Sequence, residues 1–91
     1  MGLALGQLVI SKAGRDKGRN FLVIGSVGDL YVLLADGDLR RVEKPKKKKI
    51  KHLIPTDYVA SEIQEKLVKG VKISNSEIKK ALKEYENKLD K

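Results

Sequence analysis

Turn signals recur at intervals of about ten residues through the first half of this chain, and this spacing constrains the fold more than any other feature. Three β-rich apolar runs alternate with glycine-containing turns, at residues 6–11, 20–27 and 30–34. Asp36-Gly37 is the strongest hairpin signal, because Asp-Gly readily adopts the positive φ values of a primed turn. Residues 39–42 then alternate between apolar and charged, which is typical of a strand with one solvent-exposed face. Since these connections are too short for the crossovers of parallel strands, the pattern predicts a small antiparallel β-barrel.

The last third of the chain is predicted to be helical. Thr56 can cap a first helix that ends at Gly70 and carries an apolar stripe on every fourth residue, namely Val59, Ile63 and Leu67. Ser74-Asn75-Ser76-Glu77 is a capping box, which marks the start of a second helix. The apolar stripe of that helix consists of Ile78, Leu82, Tyr85 and Leu89.

These patterns divide the chain into two parts. His52-Leu53-Ile54 offers a short closing strand for the barrel just before Pro55. We therefore expect a β-barrel in residues 1–55 and an amphipathic helical hairpin as an appendage in residues 56–91.

Composition argues against several kinds of site. The chain has no cysteine, which excludes disulfides, thiolate metal sites and cysteine nucleophiles and suits a reducing cytosol. His52 is the only histidine, so one chain cannot assemble a His-based metal cluster or a catalytic triad. No stretch approaches the ~18 apolar residues of a membrane helix, and residues 1–6 lack the pattern of a signal peptide. We expect a cytoplasmic, non-enzymatic protein with no metal, no cofactor and no membrane partner.

Positive charge is concentrated in the first half of the chain. The formal net charge is +8, and residues 1–54 carry twelve basic and five acidic groups, whereas residues 55–91 carry eight and seven. Such an excess is typical of proteins that bind a polyanion. Because glutamates dilute the charge of the predicted helices, a membrane surface is a poor partner for them, and nucleic acid is favoured.

The segment Gly14-Arg15-Asp16-Lys17-Gly18-Arg19 is the first candidate for a binding site. Its glycines let the backbone turn sharply while three cations crowd the turn, which can bring amides and guanidinium groups close to phosphates. It is not a P-loop, because Arg19-Asn20 stands where Lys-Ser or Lys-Thr is required. An ordinary charged hairpin turn is the alternative interpretation.

Three further basic segments are candidates for phosphate contact. Arg40 and Arg41 lie on a predicted strand, so only one of them is expected to share a face with a given ligand. Six lysines crowd residues 44–51, including Lys46, Lys47, Lys48, Lys49 and Lys51, and their repulsion disfavours a compact free conformation. Contact with phosphate would offset that repulsion. His52 could stack on a base or contact phosphate. The alternatives are a charged strand edge, a solvated loop or nuclear-import signal, and a histidine that makes one hydrogen bond at a strand end.

Residues 6–24 resemble a KOW motif, a hairpin of alternating hydrophobic residues around a required glycine, which here is Gly18. Family members typically carry a basic loop of the form Gly-x-Asp/Glu-Lys-Gly-Lys/Arg, which Gly14 to Arg19 matches closely. The resemblance implies an SH3-like barrel that binds RNA, with contacts at the matching positions Lys12, Arg15, Lys17, Arg19, Arg40 and Arg41.

Three further segments resemble one particular family of ribosomal proteins. The Asp36-Gly37 turn, Arg40-Arg41-Val42 and Lys51-His52-Leu53 are similar to the large-subunit ribosomal protein of the archaeal and eukaryotic fourteenth type, whose bacterial relatives are KOW-domain RNA-binding proteins of the same size. The likeness covers residues 6 to about 55 and leaves out the helices. The run of four lysines is longer than the family pattern demands.

Two functional hypotheses follow. The first is a protein that binds structured RNA, above all ribosomal RNA of the large subunit, with an affinity that falls steeply with salt. Since aromatic residues are few, weak sequence preference is expected. The second is a protein-interaction module of the transcription-elongation type, which docks a protein partner through its C-terminal helices.

Overall fold

Five antiparallel strands form one sheet in a computed structural model that describes residues 2–89. The strands are β1 (Gln7–Ser11), β2 (Asn20–Val27), β3 (Tyr31–Ala35), β4 (Lys46–Lys49) and β5 (Leu53–Val59), in the spatial order β4-β3-β2-β1-β5. A short 3₁₀ helix, Ile50–His52, joins β4 to β5, and two helices follow, α1 (Ser61–Lys69) and α2 (Asn75–Leu89). The prediction of a mainly β domain followed by two C-terminal helices is confirmed.

The strand predicted over residues 39–42 is wrong. Residues 36–45 form a loop, and the fourth strand is the lysine run. The Asp36 carboxylate accepts hydrogen bonds from the backbone amides of Asp38 and Arg40 at 2.9 and 2.8 Å. Because a side chain holds these amides, they are not available for a hairpin ladder.

The lysine run is ordered despite its charge. β4 pairs with β3 in an unbroken register from Leu34↔Lys46 to Tyr31↔Lys49. Lysine stems can lie along an apolar strand while the ammonium groups stay in water, so repulsion does not prevent the strand from forming. β4 is an edge strand, where lysines also oppose pairing with other chains.

The helix start predicted at Thr56 is also wrong. β5 continues through Pro55 to Val59, which is compatible with proline because β5 is the other edge of the sheet. The Thr56 hydroxyl donates to the carbonyl oxygen of Leu8 at 2.7 Å, so it joins two strands and caps no helix. α1 begins after Ala60 and ends at Gly70, which has a φ of 75°. β5 thus runs across residue 55, and the division of the chain there stays a prediction.

The start of α2 follows the predicted capping pattern. The Glu77 amide donates to the Ser74 hydroxyl at 3.2 Å. The Glu77 carboxylate pairs with Lys66 of α1 at 2.8 Å, and this hydrogen bond is the main reason why the pKa of Glu77 is lowered. Along the predicted stripe Ile78 and Leu82 are buried, Tyr85 is half-buried and Leu89 is 64% exposed. The buried part of the stripe therefore ends before Leu89.

Apolar side chains on the two faces of β1 and β2 build two separate core clusters. On one face, Leu8 and Leu22 pack with side chains that follow β5, namely Ala60, Ile63, Ile78, Ala81 and Leu82. On the other face, Val9 and Phe21 pack with Val23, Val32, Leu34 and Leu53, all of them at most 4% exposed. Among residues 2–89 no helix α1 or α2 side chain belongs to this second cluster. Strand residues enclose it together with Leu3 and Ile50, which pack against it, and this requires the sheet to curl.

The hydrogen-bonded ladder of the described residues is open. It stops at β4 on one side and at β5 on the other. Near these edges the backbone amide of Lys12 donates to the carbonyl oxygen of His52 at 3.0 Å, and the amide of Ile50 donates to that of Leu30 at 2.9 Å. The first bond extends the pairing of β1 with β5 and the second extends that of β3 with β4, so neither of them joins β4 to β5.

Because Ile78 is fully buried between the sheet and α2, Ile78→Ala should lower the free energy of unfolding by about 2–5 kcal/mol. The control Leu89→Ala truncates a side chain of the same helix that is 64% exposed, and should change it by no more than about 0.5 kcal/mol. Urea unfolding followed by circular dichroism measures both. Equal effects of the two substitutions would show that α2 does not share a core with the sheet.

Candidate nucleic-acid interface

Backbone hydrogen bonds close the loop between β1 and β2, residues 12–19. The Gly18 amide donates to the carbonyl oxygen of Ser11 at 2.7 Å, and the Lys17 amide donates to that of Gly14 at 3.2 Å. Gly14 and Gly18 have φ values of 78° and 86°, which side chains with a Cβ rarely adopt. The loop conformation therefore depends on glycine at both positions.

The tip and flank of this loop carry three of the cations singled out from the sequence. Lys12, Arg15 and Lys17 are all exposed. No carboxylate within residues 2–89 forms an ion pair with any of them. Their charges are therefore available to a ligand.

Two reciprocal ion pairs join loop 12–19 to loop 36–45. Arg19 of the first loop pairs with Asp36 at 3.0 Å, and Arg40 of the second loop pairs with Asp16 at 3.1 Å. Both carboxylates are buried, with side chains 5% and 9% exposed. The Nε atoms of both arginines are also buried and have no hydrogen-bond partner within the described residues. Arg19 and Arg40 thus cross-link the loops, and they have less freedom to bind phosphate than their exposed neighbours.

Asp36 is the most heavily coordinated carboxylate of this region. Burial by itself raises its pKa, but the backbone amides of Arg40 and Asp38 and the guanidinium of Arg19 together outweigh burial. The pKa of Asp36 consequently lies below its ordinary value, because each of these donors favours the charged form. The negative charge of Asp36 is therefore part of the folded structure.

Loop 36–45 is also attached to the first residue of α2. Gly37 has a φ of 79°, and a Cβ atom there would overlap the carbonyl oxygen of Asn75. The Asn75 side-chain oxygen accepts a hydrogen bond from the Val42 amide at 2.8 Å, while its nitrogen donates to Glu43. This contact with Asn75 is the main reason why the pKa of Glu43 is lowered. Helix α2 therefore positions the loop.

Arg41, unlike Arg40, forms an ion pair within its own loop. It pairs with Glu43 at 3.2 Å, and both side chains are more than half exposed. An exposed pair of this kind contributes little to stability, so the Arg41 guanidinium can exchange its partner for a phosphate.

The lysine strand β4 divides its side chains between two faces. Lys47 and Lys49 lie over the ring of Tyr31, with Nζ atoms 4.7 and 5.9 Å from the ring centroid. Lys48 points to the opposite face, where its Nζ donates to the carbonyl oxygen of Ala13 at 2.9 Å. The run is therefore not one continuous basic row, and Lys48 ties β4 to loop 12–19.

The remaining candidates lie at the two ends of the same region. Lys51 is exposed on the 3₁₀ helix, and His52 is half-buried with its carbonyl oxygen bound to the Lys12 amide at 3.0 Å. Lys46 is half-buried and pairs with Leu34 at the start of β4.

Loop 12–19 contacts every other basic segment singled out from the sequence. It meets β4 through Lys48, the 3₁₀ helix through His52, and loop 36–45 through the two ion pairs. We call the exposed cations that surround it the basic loop cluster, which consists of Lys12, Arg15, Lys17, Arg41 and Lys51.

Sequence reasoning missed three residues of this region. Asp16 and Asp36 neutralise two of the predicted contact arginines, and Tyr31 lies beneath two of the predicted contact lysines. Asp16 was visible as an acid inside a basic loop, but its partner Arg40 is 24 residues away. Nothing local could identify that partner.

Other site chemistries have no counterpart in the described part of the chain. Among residues 2–89 no three His, Asp or Glu side chains come together in a group that could hold a metal ion. Neither α1 nor α2 combines the length and the apolar content that a membrane-crossing helix needs in this part of the chain.

Comparison with known proteins finds a relative in Bacillus subtilis. The chain is 34% identical over 71 residues to YbzG of Bacillus subtilis (strain 168). The name of that protein describes it provisionally as a ribosome-binding protein. The matched region covers 78% of this chain and 96% of YbzG. No model of a known protein family matches the chain.

Asp36→Asn should lower the free energy of unfolding at neutral pH by about 1–3 kcal/mol, because it removes the charge that Arg19 neutralises. A carboxylate whose pKa is lower in the folded state stabilises the protein above its unfolded pKa of about 3.9. That stability is lost as the pH falls through the folded pKa. Asp36→Asn should therefore reduce the loss of stability below about pH 4, as measured by urea unfolding across a pH series.

The matched control is Asp29→Asn, which removes an exposed carboxylate from the turn between β2 and β3. It should leave the stability curve close to that of the unmodified protein. An Asp36→Asn curve that coincides with the Asp29→Asn curve would contradict the role given to Asp36.

Proposed function

The chain belongs to the family of YbzG of Bacillus subtilis, and from this premise we propose that it is a non-enzymatic RNA-binding protein that associates with the ribosome. Its ligand is structured ribosomal RNA, which it contacts through phosphates, and its partner is the large subunit. A protein with this partner works in the cytoplasm.

The observation that carries the proposal is the basic loop cluster. Lys12, Arg15 and Lys17 project from a loop that backbone hydrogen bonds and two ion pairs hold in place. Cations on a rigid loop lose little conformational entropy when they meet a phosphate, and this favours binding. Arg41 and Lys51 extend the same charge over the neighbouring segments.

We further propose that the curled sheet is an SH3-like barrel of the KOW type. Two observations support this. Within residues 2–89 the second core cluster contains no side chain of α1 or α2, as expected for the interior of a small barrel. Gly18, which corresponds to the required glycine of the motif, closes loop 12–19 with a positive φ.

Binding of this kind depends on counterion release. Each phosphate contact adds to the slope of log affinity against log salt, and the contacts carry little sequence information. The protein should therefore bind ribosomal RNA tightly at low salt and weakly at high salt.

The test is the variant Lys12→Gln/Arg15→Gln/Lys17→Gln, in which three exposed charges are removed from the loop. Binding to ribosomal RNA and to purified large subunits is measured across a salt series. At low salt the affinity should fall about 10- to 1000-fold, and the slope should become shallower by about 2 to 3.

The control variant Lys69→Gln/Lys72→Gln/Lys80→Gln removes the same charge from exposed positions on and beside the helices. It should retain most of the affinity and the original slope. If both variants lose affinity equally, the interaction reflects net charge alone. If neither does and the protein still sediments with large subunits, a protein contact explains the association, and the proposal is wrong. Full-length variants are needed, because the helices share a core with the sheet.

A further inference from the structure

Part of the outer face of the sheet is not covered by the helices. Paired residues of neighbouring strands share a face, and the register places two rows together, Val27-Tyr31-Lys49 and Gly25-Leu33-Lys47. The alternate residues of β3, Val32 and Leu34, point into the second core cluster. The two rows therefore lie on the opposite, outward face, which we call the outer platform.

A register shift in β2 marks where the helices stop covering this face. Leu22 and Ile24 pack in the cluster that includes the helices. Beyond the shift between Val23 and Gly25, Val27 is 41% exposed. The outer platform is thus accessible along β2, β3 and β4.

Gly25 makes the platform flat. A Cβ atom at this position would lie 3.1 Å from Cδ1 of Leu33. Without it, Leu33 lies low across β2 beside the Tyr31 row. A flat apolar surface with one aromatic ring is the geometry on which a nucleobase stacks.

Two lysines cover the ring that a base would use. The Nζ atoms of Lys47 and Lys49 are 4.7 and 5.9 Å from the Tyr31 centroid. Cation–π contacts at solvent-accessible sites are weak, so both ammonium groups can move to phosphates and leave the ring to a base. The lysines then neutralise the phosphates on either side of the stacked base.

The platform is continuous with the basic loop cluster. β4 lies between them, since Lys47 and Lys49 face Tyr31 while Lys48 reaches Ala13 of loop 12–19. An RNA strand that leaves the loop can cross β4 and meet lysines on both of its faces.

We propose that the outer platform binds an unpaired nucleobase of a single-stranded RNA segment, with Tyr31 as the stacking ring and Lys47 and Lys49 as contacts to the flanking phosphates. This inference rests on the RNA-binding function proposed above and adds a second site with a different ligand. The loops contact phosphates of structured RNA, whereas the platform accepts a base that is free to leave its partner.

The chain contains no tryptophan, so Tyr31→Trp introduces a single tryptophan at the platform. Its emission should be quenched by a single-stranded RNA of about eight nucleotides, a length that one small domain can cover. An abasic strand with the same number of phosphates should bind the lysines without quenching. Equal quenching by both strands would overturn the stacking role.

Affinity measurements separate the ring from the charges. Tyr31→Leu should weaken binding of the single-stranded RNA by about 5- to 100-fold and leave binding of a duplex RNA unchanged. Tyr31→Phe keeps the ring and should bind both RNAs like the unmodified protein. Tyr58→Leu is the matched control, because Tyr58 also carries a lysine over its ring, Lys88 at 5.3 Å, but lies against α2 and away from β4.

The outcomes distinguish the two proposals. In one outcome, the triple loop variant described above loses affinity for both RNAs while Tyr31→Leu binds the single-stranded RNA with normal affinity. In that case the platform inference is wrong and the proposed function stands. If the unmodified protein binds neither RNA, the proposed function itself fails. Unchanged duplex binding by Tyr31→Leu shows that this variant is folded.

Discussion

The first two strands carry apolar side chains on both faces, and the rest of the fold must bury both of these faces. Leu8 and Leu22 face one side of the sheet while Val9 and Phe21 face the other, and all four are at most 1% exposed. A chain of 91 residues is too short to cover both faces of the sheet with separate layers of helices. It encloses one face by curling the sheet and covers part of the other with two helices. The helices therefore share one hydrophobic core with β1 and β2.

Buried carboxylates, more than the cations themselves, organise the basic surface. Asp16 and Asp36 each hold an arginine from the opposite loop, so loops 12–19 and 36–45 form one unit. Removing the arginine of such a pair leaves a buried carboxylate without its partner, which costs far more than losing an exposed pair. Two of the six arginines and lysines that the KOW resemblance implied as contacts thus serve chiefly as cross-links. The exposed cations around them are the ones free to meet phosphate.

The lysine strand shows how one segment can serve two surfaces. Because strand residues alternate in direction, four consecutive lysines supply charge to both faces of a sheet edge. On one face Lys48 donates a hydrogen bond to loop 12–19, and on the other face Lys47 lies over the ring of Tyr31. The same charges also discourage edge-to-edge pairing with other chains.

Local signals in the sequence determined much of this protein. Apolar runs and glycine turns located β1, β2 and β3, while Gly70 marked the end of α1 and the capping box the start of α2, because these signals act within a few residues. The charge asymmetry was likewise plain from composition. Only the tertiary structure decided that the lysine run is a strand, that Arg19 and Arg40 are cross-links, and that Tyr31 lies among lysines. Each of these depends on a partner twelve or more residues away, such as Asp36 at a separation of 17 from Arg19, and local sequence patterns do not show which distant residues meet.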